Sequence, residues 1–222
     1  MIEELNPLLL EDIDLIYKDE FDNLLNKIVL CYKMMIEANI KLPNDENKIR
    51  DVLVISYLRN DKIRNIIGLK SFLFNKEVPE DKTNGRTDIK IETKNTFEKQ
   101  EAYYIIECKR LDNENLSGDT GLNAKYINDG IMRFVTIKYS SFHRINGMIG
   151  FIVQKMDINK NISNINSLLE KNKETNTEQV LKRDNFINNF DYSYTSKHID
   201  KNKLSFVLYH LMFDYSCNIE VV

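Results

Sequence analysis

Apolar residues recur every three or four positions over residues 8–39, which is the spacing of one face of a helix and predicts one long helix or two in sequence. Acidic residues gather near the start of this stretch, where they interact favourably with the positive end of a helix dipole. Pro43 interrupts the pattern, and Asn44 is a candidate N-cap for a second helix over residues 45–60. We expect the first helix to pack against a core, with dimerisation as the alternative role.

Strand patterns follow the two helices. Residues 68–78 predict a first strand and residues 85–92 a second, in which β-branched residues alternate with charged ones. Residues 95–101 predict a charged hairpin loop. Residues 103–110 begin with an aromatic and β-branched run, which is typical of a strand buried on both faces. The order helix, strand, strand, strand indicates an α/β fold.

The next stretch predicts a crossover. Residues 112–121 are rich in Gly, Asn and Asp, so we expect an exposed loop there. Residues 122–140 predict a helix and residues 147–154 a strand, and a helix between two strands favours a parallel connection. Gly130 within the helix costs about 1 kcal/mol relative to Ala. We therefore expect a strand or a ligand to approach the helix closely at this glycine.

The C-terminal part is less regular. Residues 159–180 are polar and predict a short helix followed by a loop. Two further strands are predicted at residues 189–196 and 204–213, the second of them at a sheet edge. Because no repeat or domain boundary is visible, the chain predicts one domain over residues 1–222, with a mixed central sheet flanked by helices.

Two acids and a lysine fall near each other on the second and third strands. Asp88 lies on the charged side of the second strand, whereas Glu107 and Lys109 end the third strand on one face, because strand side chains alternate. A carboxylate at the end of a buried strand is costly unless a charge compensates it. A hard divalent cation bound by carboxylate oxygens would compensate it. The lysine could then orient an attacking water or stabilise charge on a phosphate.

The sequence pattern in which an acidic residue is followed two positions later by lysine is weak evidence by itself. It recurs in polar stretches of this chain, where solvation accounts for it, whereas Glu107 and Lys109 close an apolar strand. The alternative interpretation of the pair is an ion pair at a solvent-exposed strand end. The other instances are Glu46/Lys48, Glu80/Lys82, Asp88/Lys90 and Glu92/Lys94.

Asp88, followed by Glu107-Cys108-Lys109 after a hydrophobic strand, resembles the site of the PD-(D/E)XK nuclease superfamily, which has the restriction-endonuclease-like fold. The resemblance implies that Asp88 and Glu107 hold Mg²⁺, or Mn²⁺ in its place. It implies that the Cys108 carbonyl also faces the metal and that Lys109 serves the attacking water. Thr87 stands where the name-giving proline would be.

The resemblance covers about residues 45–155 and implies a restriction-endonuclease-like core there. Residues 1–42 would then be an N-terminal helical extension, and residues 156–222 a C-terminal elaboration with extra strands. Many superfamily members place an extra metal-directed acid, counted among the catalytic residues, on the first core helix. Glu46 is our choice for this role and Asp51 the reserve.

Basic and aromatic residues close to these positions are candidate nucleic-acid contacts. Lys125 and Arg133 lie near the same face of the predicted crossover helix, with Tyr126 beside the first and Arg110 at the end of the third strand. The alternative is that these charges are solvated positions on a helix surface. The Gly- and Asn-rich loop before the helix is where we expect substrate to enter.

Composition describes an ordinary soluble protein, with 42% hydrophobic and 29% charged residues. A net charge of −3 argues against a protein held on nucleic acid by bulk electrostatics, but it is compatible with a nuclease whose basic groups are local. Three widely spaced cysteines predict reduced thiols in a cytoplasmic protein. We expect neither a signal peptide nor a membrane-spanning segment.

These observations predict a Mg²⁺-dependent nuclease that hydrolyses phosphodiester bonds in DNA, for restriction, repair or phage defence. Two alternatives remain open. One is a catalytically silent subunit of the same fold that binds nucleic acid or a partner protein, and the other is a different α/β enzyme that handles metal and phosphate. A homodimer or a partner subunit would be natural for cutting both strands.

Overall fold

The computed structural model describes residues 7–80, 85–139 and 142–220, with side chains in the first helix from residue 17 onward. The acids near the start of that helix, among them Glu11, Asp12 and Asp14, lie outside the described side chains. The α-helices are α1 (Pro7–Glu37), α2 (Glu46–Asp51), α3 (Asp61–Ile67), α4 (Lys94–Glu98), α5 (Leu122–Tyr126), α6 (Met132–Val135) and α7 (Ile158–Lys171). The strands are β1 (Leu73–Pro79), β2 (Arg86–Glu92), β3 (Tyr103–Leu111), β4 (Ile145–Ile152), β5 (Thr177–Arg183), β6 (Ser193–Ile199) and β7 (Ser205–Asp214).

The strands form one sheet of seven, in the order β1-β2-β3-β4-β7-β6-β5. The neighbouring pairs β1–β2 and β2–β3 are antiparallel, β3–β4 and β4–β7 are parallel, and β7–β6 and β6–β5 are antiparallel again. The predicted α/β class with a mixed central sheet is therefore confirmed. The predicted crossover is confirmed as well, because β3 and β4 are parallel and the chain between them carries α5 and α6.

Helices cover both faces of the sheet, and each face has its own apolar cluster. Side chains of α1 and of the π-helical segment after α2 pack on one face, around residues such as Phe21, Leu53 and Tyr104. Side chains of α5, α6 and α7 pack on the other, around Tyr126 and Ile165. No helix in the described ranges is long and apolar enough to cross a membrane.

The position of the last strand differs from the prediction. Residues 204–213 were expected at a sheet edge, but β7 lies inside the sheet, between β4 and β6. An interior strand that is covered on both faces carries apolar residues on both sides. The run from Phe206 to Phe213 has this composition and is almost entirely buried, so an interior position satisfies it better than an edge.

Several short elements were not predicted. Residues 68–78 were expected to be one strand, but Gly68 is the left-handed C-cap of helix α3, with φ of 73°, and β1 begins at Leu73. Helix α3 has no fully buried residue, although its Ile63 and Ile67 side chains pack partly buried against the core. Strand β5 is a largely exposed edge strand within a stretch expected to be loop, and α4 lies within the expected hairpin loop.

The second helix starts one residue later than expected and changes type along its length. Asp45, rather than Asn44, is its N-cap, and its side chain accepts a hydrogen bond from the Lys48 backbone N–H at 2.9 Å. After α2 the chain continues as a π-helix over Val52–Leu58. Single π-helical turns are often found beside functional sites.

Gly130 lies where the crossover helix meets the sheet, as predicted. It belongs to a π-helical turn, Ile127–Ile131, between α5 and α6. A Cβ atom at this position would come within 2.5 Å of the Met148 Cε atom on β4 and 3.6 Å of the Lys109 Cγ atom on β3. The glycine therefore allows the helix to approach both strands.

A chain of buried hydrogen bonds links the crossover helix to the C-terminal strands. The His198 Nδ1 atom lies 3.2 Å from the Thr175 carbonyl, which can only accept, so Nδ1 carries the proton and Nε2 accepts from the Ser196 hydroxyl at 2.8 Å. Ser196 then accepts from His210 Nε2 at 2.7 Å, and His210 Nδ1 accepts from the Tyr126 hydroxyl at 2.7 Å. Burial lowers the pKa of His198 to about 4 and that of His210 well below its usual value, so both rings are neutral.

We expect Ser196→Ala to reduce the free energy of unfolding by about 1–3 kcal/mol, because it leaves two buried imidazole nitrogens without a hydrogen bond. Urea denaturation at pH 7.5 measures this. The matched control is Ser163→Ala on the exposed side of α7, where the change should stay within about 0.5 kcal/mol. Equal effects of the two substitutions would contradict the assigned hydrogen-bond chain.

Candidate active site

Three carboxylates form a row across β1, β2 and β3. The pairs on either side place Glu77 opposite Asp88. Continuing the β2–β3 register one residue beyond the Ile89–Ile106 pair places Asp88 opposite Glu107. Like charges on opposed residues of neighbouring strands repel each other. This acid row (Glu77, Asp88 and Glu107) therefore needs cations between its members.

Lys109 is the cation between Asp88 and Glu107. Its Nζ atom lies 2.7 Å from Glu107 Oε1 and 3.9 Å from Asp88 Oδ2. It also donates to the Cys108 carbonyl at 2.8 Å and to Glu46 Oε1 at 3.1 Å. The structure thus brings Glu46, Asp88, Cys108 and Glu107 together around one buried ammonium, which is 7% exposed.

Arg50 is the cation between Glu77 and Asp88. Its Nη1 atom lies 2.8 Å from Glu77 Oε1 and 2.8 Å from Asp88 Oδ1. The guanidinium also contacts Asp51, which pairs in addition with Lys76. Of the two helix acids considered from the sequence, Glu46 is therefore the one that contacts Lys109, while Asp51 contacts Arg50. The sequence interpretation missed both Arg50 and Glu77.

Glu107 is fully buried, and its surroundings act on the pKa of its carboxyl group in opposite directions. Burial raises its pKa to about 7, with a smaller contribution from Asp88, while Lys109 and Arg133 act in the opposite direction. The Tyr139 hydroxyl donates to Glu107 Oε2 at 2.6 Å, and the Arg133 Nη1 atom lies 3.3 Å from Oε1. The surrounding carboxylates keep Lys109 protonated, because they raise its pKa by more than burial lowers it.

Cys108 contributes its backbone and not its thiol. Its side chain is fully buried on the other face of β3, and burial raises the pKa of the thiol well above its usual value. Its N–H donates to Asp88 Oδ2 at 2.8 Å, and its carbonyl accepts from Lys109. Both peptide groups of Cys108 thus face the acid row.

The residues present suit a hard divalent cation. Oxygen atoms of Asp88, Glu107 and the Cys108 carbonyl lie on one side of the sheet and surround a positive charge, and Mg²⁺ and Mn²⁺ prefer such oxygen ligands. In the described part of the chain, no group of three or more His, Cys, Asp or Glu side chains has an arrangement ready to hold a metal ion. In the structure, the Lys109 ammonium contacts these oxygens.

The candidate nucleic-acid contacts differ in their availability. Lys125 is exposed and lines a cleft of about 330 Å³ of mixed charge. The other charged residues that line it are the bases Lys109, Arg110 and Arg133 and the acids Asp45, Glu46 and Asp129. Arg110 is tied to the loop before α2, since it donates to the Asn44 carbonyl at 2.9 Å. Arg133 points inward to Glu107 but is 29% exposed in its side chain, so it faces both the acid row and the cleft.

The expectation that Tyr126 contacts nucleic acid is wrong. Its side chain is fully buried on the sheet side of α5, and its hydroxyl is bonded to His210. A tyrosine and a lysine at adjacent helix positions point in different directions. Because Lys125 is on the exposed side, its neighbour turns into the core.

Comparisons with known proteins give no relative from which a function could be transferred. No protein-family model, no curated protein and no solved structure matches this chain significantly. The likeness to the PD-(D/E)XK superfamily therefore rests on the residues of the site and on the order of the elements that carry them.

We expect Glu107→Gln to weaken the fall in stability that the parent protein shows between pH 5 and pH 8. The folded-state pKa of Glu107 is raised to about 7 from an ordinary 4.5, so its contribution to stability is present below pH 4.5 and is lost as the pH rises through 7. The glutamine does not titrate, so the free energy of unfolding of the variant should fall by about 2–3 kcal/mol less than that of the parent between pH 5 and pH 8. Urea denaturation at the two pH values tests this.

The control for this experiment is Glu98→Gln, an exposed position on α4. It should leave the difference in unfolding free energy between pH 5 and pH 8 as it is in the parent. A Glu107→Gln protein whose pH dependence equals that of the parent would show that the buried carboxyl does not titrate near neutrality.

Proposed function

We propose that this protein is a metal-dependent nuclease that hydrolyses phosphodiester bonds, with DNA as its substrate, through a PD-(D/E)XK-type site. The observation that carries the proposal is the convergence of Glu46, Asp88, Glu107 and the Cys108 carbonyl on the Lys109 ammonium. The element order supports it, since a helix, three strands in antiparallel pairs and a parallel crossover follow the order expected of a restriction-endonuclease-like core.

The proposed roles follow from position. Asp88, Glu107 and the Cys108 carbonyl would hold Mg²⁺ or Mn²⁺, which when bound lowers the pKa of water and stabilises charge on a phosphate. The Lys109 ammonium, next to all three, can donate a hydrogen bond to an attacking water or to a phosphate oxygen. Glu46 orients Lys109 by accepting its hydrogen bond and also accepts the Arg110 backbone N–H at 2.8 Å.

The cleft above Lys109 gives the substrate phosphate a place to bind. The Lys125 ammonium makes no hydrogen bond or ion pair with the residues that the structure describes, so its charge is available to a phosphate. Arg133 reaches from the same cleft to Glu107. A nucleic-acid backbone bound in this cleft would therefore lie between the Lys125 ammonium and the acid row.

One observation favours the catalytically silent alternative. Arg50, Lys109 and Arg133 already contact the acids of the site, so the charges of Asp88 and Glu107 are compensated within the chain itself. Such a site is stable without a bound ion, as a non-cutting subunit that binds nucleic acid or a partner protein would require. The two functions differ in whether a divalent cation binds at Asp88 and Glu107, which calorimetry with Mn²⁺ measures directly.

We expect Asp88→Ala and Lys109→Ala to reduce the cleavage rate of DNA in Mg²⁺ by about 10²–10³-fold, because each removes a group beside the scissile phosphate. The rate is measured on purified proteins with labelled linear duplex and single-stranded DNA, and with RNA of the same sequence. Circular dichroism confirms that each variant is folded.

The matched control is Lys90→Ala. Lys90 lies two residues after Asp88 on the same face of β2, so these two residues form the same sequence pattern as Glu107 and Lys109. The Lys90 ammonium, however, pairs with Glu92 at 3.1 Å. The Lys90→Ala protein should cleave DNA at the rate of the parent protein. Variants at Asp88 and Lys109 that cut as fast as the parent would refute the nuclease, and activity on a small phosphoester without activity on polynucleotides would point to the third class of enzyme.

A further inference from the structure

Arg50 is a buried charge that the proposed catalytic roles leave unused. It lies on α2 and is only 2% exposed. Its Nε and Nη2 atoms both contact Asp51 Oδ1, at 3.1 and 2.9 Å, while Nη1 lies at the other end beside Glu77 and Asp88. Asp51 thus holds the Nε and Nη2 side of the guanidinium, while Nη1 donates to Glu77 and Asp88 in the acid row.

The backbone of Glu77 is strained in a way that serves this contact. Its φ is 55°, a left-handed conformation that is unfavourable for a residue with a side chain, and it lies within strand β1. The strand pairing with β2 continues on both sides of it. In this conformation the Glu77 carboxylate reaches Arg50 at 2.8 Å and Arg86 at 2.9 Å. Strain of this kind is concentrated at functional sites.

The two oxygens of Asp88 have separate partners. Oδ1 accepts from Arg50, whereas Oδ2 accepts from the Cys108 N–H at 2.8 Å and faces Lys109. A carboxylate held at both oxygens cannot rotate about its Cβ–Cγ bond without losing a contact. Arg50 therefore helps to fix the plane of the Asp88 carboxylate, so that one oxygen stays directed at the Lys109 ammonium.

We propose that Arg50, itself held by Asp51 and by the strained Glu77, is a positioning residue that orients the Asp88 carboxylate towards the metal site. The inference rests on the proposed function, in which Asp88 is a metal ligand. Partners of a ligand that lie outside the metal's own ligand set commonly change metal affinity by 10–100-fold when they are removed. Lysine cannot replace this arginine, since a single ammonium lacks the planar fork that contacts Asp51 and the acid row together.

The orientation of Asp88 can be measured without any metal. The chain has three cysteines, Cys31, Cys108 and Cys217, so labelling with ¹⁵N-cysteine gives three amide resonances. The Cys108 amide donates to Asp88 Oδ2, and its chemical shift and hydrogen exchange report on that carboxylate. We expect the Cys108 resonance to move and its exchange to accelerate in Arg50→Lys and in Glu77→Gly, while Cys31 and Cys217 keep their positions.

Glu77→Gly is the second variant, because it tests the same contact without the risk that replacing the buried Arg50 unfolds the protein. Glycine accepts a φ of 55° without strain, and the Glu77 side chain is 37% exposed, so the substitution relieves the backbone while removing the carboxylate. Lys203→Gly is the matched control, because Lys203 has a φ of 66° in the turn between β6 and β7, outside the acid row. It relieves the same strain and should leave all three resonances in place.

Calorimetric titration with Mn²⁺ links the orientation to the site. We expect affinity to fall by at least 10-fold in Arg50→Lys and Glu77→Gly, and to stay at the parent value in Lys203→Gly. An unchanged Cys108 resonance in both variants overturns the inference, and so does a moved resonance with unchanged Mn²⁺ affinity. A parent protein that binds no Mn²⁺ refutes the proposed function, and the Cys108 resonance then decides by itself whether Arg50 orients Asp88.

Discussion

The local structure around the site depends on the repulsion between three carboxylates in adjacent strands. Glu77, Asp88 and Glu107 lie in register, and Arg50 and Lys109 occupy the two gaps between them. Isolated charges in a buried setting are costly, whereas charges paired at hydrogen-bond distance are tolerated. The alternation of acid and base therefore makes the row stable, and it holds every side chain of the row in one orientation.

The helices that pack on the sheet carry the charged side chains that contact the acid row. Helix α2 supplies both Arg50 and Glu46, and its N-cap, Asp45, fixes where it starts. The crossover helix supplies Arg133, and Gly130 lets that helix approach β4 and the stem of Lys109. On the sheet side of the crossover helix, buried hydrogen bonds from Tyr126 through His210 to Ser196 connect it to β7 and β6. These strands belong to the same sheet as the acid row.

The same contacts that stabilise the acid row would compete with the ligands proposed for it. A cation bound by Asp88 and Glu107 must share oxygens that now face Lys109 and Arg50, and a phosphate in the cleft would attract Arg133 away from Glu107. Removal of one partner from such a buried network leaves an uncompensated charge. This balance distinguishes a hydrolytic site from a silent one, because only the former gains from exchanging an internal cation for an external one.

Local periodicity determined much of this protein from its sequence. The alternation of Thr87, Asp88 and Ile89 and the placement of Glu107 and Lys109 on one strand face were correctly predicted, since a strand repeats every two residues whatever surrounds it. The long first helix, the crossover and the glycine at its contact with β4 follow from similar short-range rules. Only the tertiary structure decided that β7 lies inside the sheet, that Tyr126 is buried, and that Arg50 and Glu77 join the site. Those outcomes depend on register between strands and on packing between residues distant in sequence, which no local pattern encodes.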